Sequence, residues 1–285
     1  MIILLTGAEG FTGRHFRRAA ESCGHQVIPL AADLRDKTAV GAAVREMDYS
    51  HVVHLAALSF VGHEDLSGFY DVNLFGTLNL LDALQSSSTL PERVLIASSA
   101  NVYGNCSNSP IAESAPLAPV NHYATSKLAM EWMSRTYQDA INLIFVRPFN
   151  YTGVGQNPSF LIPKLVDHFK ARAQKIELGN LDVIREYNDV REVCDAYLHL
   201  LVQGQVGETY NVCSGRGYSL NSVLDSLRNL TGHSMAIEVN PKLVRKNEVK
   251  ELLGDPRKLA ASMGGLKSRS LSETLSWMLN PDSAA

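Results

Sequence analysis

The sequence lacks any apolar run approaching the roughly twenty residues that a membrane helix needs. It also lacks a dominant charge, with 26 basic against 29 acidic side chains and a formal net of −3 over 285 residues. Without a basic excess there is no global electrostatic footprint for nucleic acid or for an anionic membrane surface. Cysteine is scarce, and Cys23, Cys106, Cys194 and Cys213 stand far apart with no CxxC spacing. That argues against a disulfide framework and a zinc site, and for thiols in a reducing compartment. The nine histidines form no HExxH, so no metal is expected, and His51 and His54 read as satisfied strand or loop residues. No basic segment precedes the first apolar run, which makes the cytoplasm the expected location. Repeats and low-complexity tracts are absent. What is present is ordinary globular composition, 45% apolar and 19% charged, enough for one large domain or two small ones.

The first half alternates short apolar runs with helical patterns. Residues 2–6 form a continuous apolar run that suits a parallel strand covered on both faces. A helix is expected over 14–23, a strand over 26–30, a helix over 38–47 and a strand over 51–57. A longer helix over 71–85 carries Val72, Leu74, Phe75, Leu78, Leu81 and Leu84 as its buried stripe. Strand 93–98, helix 123–139 and strand 143–147 complete the rhythm. The alternation predicts a Rossmann-type, doubly wound α/β sheet over 1–149, with ligands beyond the carboxyl ends of its strands. After Pro148 the rhythm breaks: a loop over 150–163, a helix over 164–173, then mixed short elements. A smaller α/β substrate lobe over 150–285 is expected, with segments near 186–213 returning to the sheet.

Between the first strand and the first helix stands Thr6-Gly7-Ala8-Glu9-Gly10-Phe11-Thr12-Gly13. Glycines allow the backbone to turn sharply and approach a pyrophosphate, whose charge rests on free amides at the helix start. Twenty glycines make chance spacings common, so the position of the three matters more than their number. Asp33 lies twenty residues after Gly13, where a ribose-binding acid would sit. It also falls in a turn, where it would touch the adenine edge or cap the next helix. Arg14 or Arg35 could take a 2′-phosphate. NADPH is favoured over NADH, and use of both stays open.

Tyr123-Ala124-Thr125-Ser126-Lys127 puts a phenol and an ammonium at i and i+4, neighbours on one helix face. Ten tyrosines and ten lysines make such a pair occur by chance in roughly one sequence in three of this length. Its place after the fourth strand, which ends at Ser98-Ser99, raises its weight. An unperturbed tyrosine is a poor proton donor or acceptor at neutral pH, and a nearby ammonium would lower its pKa. Ser99 can hold a substrate oxygen within reach.

Taken with HLAA at 54–57, Asn73 followed by Gly76-Thr77, SSANVYG at 98–104, RPFN at 147–150 and YNVCSG at 210–215, the chain resembles the extended short-chain dehydrogenases/reductases of the nucleotide-sugar branch. The resemblance runs over essentially the whole length. It implies a catalytic set of Ser99, Tyr123 and Lys127, with Ser99 preferred to Ser98 because it stands three residues before Val102. For the dinucleotide it implies Gly7, Gly10, Phe11, Gly13 and Arg14, then Asp33, Leu34, Leu55, Ala56 and Ala57, and finally Asn73, Tyr123, Lys127 and Pro148. A homodimer packed through the helices around Asn73 and Tyr123 is also implied.

Within this branch, dehydratases carry an acidic pair directly after the catalytic hydroxyl; here Ala100 and Asn101 stand there, which removes the acid and base of elimination. The segments 147–150, 153–156, 159–160 and 178–187 and the Arg245 to Glu248 stretch resemble GDP-4-keto-6-deoxymannose reductases, which form GDP-D-rhamnose. That likeness implies Ser59, Ser99, Asn101, Asn150 and Arg185 at the sugar nucleotide, with Arg245 and Glu248 at its phosphate or ribose. Arg185 is equally readable as a structural ion-pair partner, and Arg245 as part of a solvated surface. Two departures stand out. Tyr151-Thr152 replaces the usual residues at a place expected to line the sugar pocket, and Gly264-Gly265-Leu266 lacks the tryptophan that often follows. The expected activity is NAD(P)H-dependent reduction of the C4 ketone of a nucleotide-linked 4-keto-6-deoxyhexose. An NAD-dependent nucleotide-sugar 4-epimerase and a non-catalytic dinucleotide sensor are the alternatives.

Overall fold

The computed structural model describes residues 1–59, 65–106, 109–244, 250–266 and 268–281. The chain opens with β1 (Ile2–Thr6), α1 (Phe11–Ser22), β2 (Gln26–Leu30), α2 (Lys37–Glu46) and β3 (His51–His54). It continues with α3 (Leu66–Tyr70), a π-helical stretch Asp71–Phe75, α4 (Gly76–Gln85), β4 (Arg93–Ala97), a 3₁₀ turn Ala100–Tyr103, α5 (His122–Ser134) and β5 (Leu143–Pro148). Next come β6 (Tyr151–Thr152), α6 (Leu161–Lys170), β7 (Lys175–Leu178), β8 (Ile184–Arg185), β9 (Asn188–Asp189), α7 (Val190–Gln203) and β10 (Thr209–Val212). The last are β11 (Tyr218–Ser219), α8 (Leu220–Thr231), β12 (Ala236–Val239), β13 (Glu251–Leu252), α9 (Arg257–Met263) and α10 (Leu271–Leu279).

Six strands form one parallel sheet in the order β10-β5-β4-β3-β1-β2. Strand side chains alternate between faces. Ile3, Leu5, Val53, Leu95 and Val146 therefore pack on one side with Phe16 of α1, Tyr197 and Leu201 of α7 and Leu259 of α9. Leu4, Val52, Val94, Ile96 and Phe145 pack on the other with Val40 of α2, Leu80 and Leu84 of α4 and Met130 of α5. A separate core of α6, β7, α8 and α10 is built on Leu165, Phe169, Ile176, Leu224 and Leu275. Helix α7 packs on the sheet, and β10 is its outer strand beside β5.

Several boundaries move for local reasons. Helix α1 starts at Phe11, not at 14, because Gly13 is helical and Gly10 is the N-cap. Strand β3 stops at His54, because the amides of Leu55 and Ala56 both donate to the Thr6 hydroxyl, at 3.1 Å each. The helix expected over 71–85 begins earlier, at α3, and passes through the π turn before α4. Helix α6 starts at Leu161 rather than 164, and the loop before it contains the short strand β6. Caps fix most other starts: Asp36 on α2, Asn121 on α5, Asp189 on α7, Ser219 on α8, and a Ser270–Glu273 capping box on α10. Among the described residues, no helix is long and apolar enough to cross a membrane.

One buried ion pair locks α5 to the sheet. Arg147 of β5 donates Nε to Oε1 of Glu131 at 3.0 Å and Nη2 to Oε2 at 2.6 Å, both side chains almost fully buried. Removing one partner of such a pair leaves an unpaired interior charge, which costs about 3–5 kcal/mol. Glu131→Ala is expected to lose that much in urea unfolding, and replacing both partners with methionine is expected to recover part of it, the remainder being the counter-charge lost beside Lys127. Equal losses in the single and double variants would contradict the pairing.

Candidate active site

The strand order reverses at β1, which pairs with β2 on one side and β3 on the other. A crevice at the carboxyl ends of strands is expected at such a switch point. The glycine loop occupies it. Gly7 has φ +69°, and a Cβ there would sit 2.7 Å from the Ala56 amide nitrogen. A Cβ on Gly13 would meet the Gly7 carbonyl at 2.1 Å. The loop thus packs against the Leu55-Ala56-Ala57 exit of β3 with no room for a side chain. Gly10 contributes no side-chain cap to α1, which leaves the first amides of the helix to accept an anion. These features fit a dinucleotide pyrophosphate.

Beneath the loop, His54 is fully buried and bridges two hydroxyls, Thr6 at Nδ1 (2.7 Å) and Thr77 at Nε2 (2.8 Å). Thr77 spends its proton on the Asn73 carbonyl at 2.7 Å, so His54 Nε2 donates to Thr77 and Nδ1 accepts from Thr6. His54 is therefore neutral; burial, with Lys127 nearby, drives its pKa down to about 3. Asn73, inside the π turn, accepts from the Leu58 amide at 2.9 Å and donates to the Leu58 carbonyl at 3.1 Å and the Ser126 hydroxyl at 3.0 Å. It ties the β3 exit to α5. A π turn at such a junction is a common device at functional sites.

On α5, Tyr123, Lys127 and Glu131 succeed one another at helical turns, all buried. The Tyr123 phenol meets the Ser99 hydroxyl. Ser99 Oγ accepts from both the amide and the side-chain nitrogen of Asn101, at 3.2 and 3.0 Å. With both lone pairs engaged, Ser99 has its own proton left for Tyr123 or for a substrate oxygen. Burial lowers Lys127 to about 8, opposed by the Glu131 charge, with no hydrogen bond contributing. That displacement costs the ammonium form on the order of 3 kcal/mol. Burial also raises the Tyr123 phenol, with Ser99 opposing. The lowering of the tyrosine pKa by Lys127, expected from the sequence, is thus not what the site shows. The desolvated phenol stays protonated, and Lys127 is not among the groups that shift it.

The other predicted residues scatter. Phe11 is the first residue of α1, and Leu34 packs its Cβ near Gly76. Asp33 binds Arg35 through both carboxylate oxygens, with contacts of 2.6 to 3.1 Å, and the pairing holds its carboxyl down at about 2. The helix cap is Asp36 instead. Arg14 donates to the carbonyls of Glu9 and Gly155. Pro148 ends β5 opposite Val212. The Asn150 carbonyl accepts from the Asn188 amide and side chain, and Ser59 is exposed beyond β3. Arg185 is buried and donates to the carbonyls of Ile184 and Lys250. Arg245 and Glu248 lie outside the described residues. Tyr151 contacts Thr12 and Phe11 of α1, and this contact was not foreseen. A cavity of about 310 Å³ between α7, α9 and β10 contains none of the predicted site residues; Gly265 and Leu266, in the segment lacking the tryptophan, border it.

The profile of the GDP-mannose 4,6-dehydratase family matches residues 13–278. The chain belongs to this family of short-chain dehydrogenases/reductases. It is 36% identical to the GDP-6-deoxy-D-talose 4-dehydrogenase of Aggregatibacter actinomycetemcomitans, over 93% of this chain and 92% of the relative. It is 30% identical to the GDP-6-deoxy-D-mannose reductase of Pseudomonas aeruginosa, over 98% and 96%. The NADPH complex of RMD from Pseudomonas aeruginosa superposes with a TM-score of 0.90 at 29% identity, over 98% and 97%. As a family member the protein is an NAD(P)-dependent oxidoreductase with the Rossmann-like parallel sheet foreseen from its sequence.

Lys127 Nζ loses its proton as pH rises through about 8. The free enzyme's kcat/KM is therefore expected to fall above pH 8. Lys127→Arg should carry that falling limb to higher pH, and a wild-type profile flat to pH 9.5 would count against a role for the ammonium.

Proposed function

We propose that the protein reduces the C4 ketone of a GDP-linked 4-keto-6-deoxyhexose with NADPH or NADH, through Ser99, Tyr123 and Lys127. The observation that carries the reading is the protonated, buried Tyr123 against Ser99, whose lone pairs are engaged by Asn101 and whose own proton is left to donate, one helical turn from Lys127. The names of both relatives place a 6-deoxyhexose on GDP. Those two sugars, 6-deoxytalose and 6-deoxymannose, differ in configuration at C4, so a C4 ketone is their shared precursor. A dehydratase is disfavoured, because Ala100 is buried and apolar and Asn101 is committed to Ser99.

A nicotinamide dinucleotide held on the Gly7 to Gly13 loop would supply hydride to C4. Ser99 Oγ–H polarises the C4 oxygen, and Tyr123 Oη gives its proton to the alkoxide as it develops. Lys127 Nζ would hold the nicotinamide ribose and stabilise the phenolate left behind. The Gly7 to Gly13 loop and Asn73 fix the crevice around the cofactor, and Asn150 and Arg185 would face the sugar nucleotide. Asp33 with Arg35 supports use of either dinucleotide, since the acid suits a 2′-hydroxyl and the guanidinium a 2′-phosphate.

We also infer a homodimer packed through the helices around Asn73 and Tyr123, the π turn leading into α4 and α5, supported by Phe75 and Trp132, which are 54% and 60% exposed. The cytoplasm fits the four free thiols.

Mixing the protein with NADPH and GDP-4-keto-6-deoxymannose should oxidise cofactor in proportion to ketone consumed, and Tyr123→Phe should lower kcat by at least about 100-fold. Inversion at C4 of a GDP-linked 6-deoxyhexose in the presence of NAD⁺, with no net change in cofactor, would establish an epimerase, and no turnover of either substrate a sensor. Product configuration reads the face of attack. Light scattering should give a dimer mass for wild type and a monomer for Trp132→Glu; a wild-type monomer would remove the proposed interface.

A further inference from the structure

The segment that follows β5 reaches back to the start of α1. The hydroxyls of Tyr151 and Thr12 lie 2.7 Å apart, and the Tyr151 ring stacks on Phe11 with centroids 6.0 Å apart at 16°. Next to this contact, His15 Nε2 meets the Val154 carbonyl at 2.8 Å. Arg14 joins the Glu9 and Gly155 carbonyls at 2.6 and 3.3 Å. Four side chains in the first turns of α1 are thereby held by residues about 140 positions away in the sequence.

A helix that must receive an anion on its first amides faces a conflict. A side-chain cap would rigidify the turn but occupy the amides that the ligand needs. Helix α1 has no such cap, because Gly10 stands at the cap position. Its first turn would be left to fray without another restraint. Thr12 is the second residue of that turn, and its hydroxyl points to Tyr151 rather than to the helix's own amides.

We propose that Tyr151 is a positioning residue for the dinucleotide: through Thr12 it holds the bare first turn of α1 in the form that takes the pyrophosphate, and so replaces from outside the cap that the turn cannot carry. The inference rests on the glycine loop being the dinucleotide site. Because Asn150 adjoins Tyr151, the same segment serves both the cofactor turn and the residue proposed to face the sugar.

Titration of the full-length protein with NADPH, followed calorimetrically, tests this. Tyr151→Phe keeps the stacking ring and Thr12→Val keeps the shape, and each removes one hydroxyl. Each is expected to raise the Kd of NADPH about three- to tenfold, the size of one net hydrogen bond. The double variant should be no weaker than either single one, and Thr12→Ser should bind like wild type. Losses that multiply in the double variant, or unchanged Kd values throughout, would overturn the proposal. So would a lowered unfolding midpoint with unaltered affinity of the folded protein, the mark of a purely structural contact. Should Tyr151→Phe fail to fold, the contrast between Thr12→Val and Thr12→Ser decides alone. Wild-type protein that binds neither NADPH nor NADH would overturn the functional reading itself, a result distinct from normal wild-type binding with indifferent variants.

Discussion

A positive charge inside the protein sets the terms for the rest of the site. Lys127 is 3% exposed, and an ammonium so placed needs a counter-charge nearby. Glu131, one turn further along α5, supplies it, and Glu131 is in turn held by Arg147 of β5. Arg147 also donates to the Tyr103 hydroxyl at 2.9 Å and lies over its ring; Tyr103 donates to Asn211 of β10 at 2.7 Å. Four pieces of chain, α5, β5, the 3₁₀ turn after β4, and β10, are thus registered by one continuous polar network. From Glu131 to Asn211 each member is hydrogen-bonded, which is the condition under which interior polarity specifies geometry instead of weakening it. The reactive end of α5 inherits that rigidity.

The resulting division of labour is clear in the pKa directions. Burial keeps the tyrosine protonated and draws the lysine toward neutrality, while His54 beneath the loop is neutral by its hydrogen-bond order. A proton donor is most useful when it holds its proton until the acceptor becomes basic. In the reductive direction the acceptor is an oxygen that gains charge only as hydride arrives. A phenol raised by desolvation suits that timing better than one already ionised.

Legibility in the sequence followed the range of the interactions. The alternation of strands and helices, the glycine loop and the Tyr123–Lys127 pair are local patterns, and the structure places them together at the ends of β1, β3 and β4. Longer-range facts were hidden. Nothing near residue 54 indicates that β3 should stop there, because the cause is the hydroxyl of Thr6, about fifty positions earlier. The i+8 spacing from Tyr123 to Glu131 was visible, but its meaning depends on Arg147 arriving from another strand. Tyr151 read as a pocket residue because its partner lies in α1. Arg185 could be read as a ligand or a scaffold residue; its contacts with two backbone carbonyls show scaffold work, which leaves the sugar-facing role a proposal. The sign of the tyrosine shift was also beyond the sequence, since desolvation is a property of the packed whole.

The π turn at Asp71–Phe75 carries a further consequence. Such a turn holds one residue more than an α-helix would in the same length, and everything beyond it is rotated by about 100° relative to an uninterrupted helix. Asn73 sits inside the turn, where its side-chain amide meets Leu58 and Ser126. The helix is therefore a ruler whose count matters more than its composition. Substitutions that spare Asn73 keep that count, whereas a one-residue insertion or deletion changes it. Losing a residue would straighten the helix and make it locally more regular, yet it would turn the amide away from both its partners. Here the better helix would be the worse enzyme.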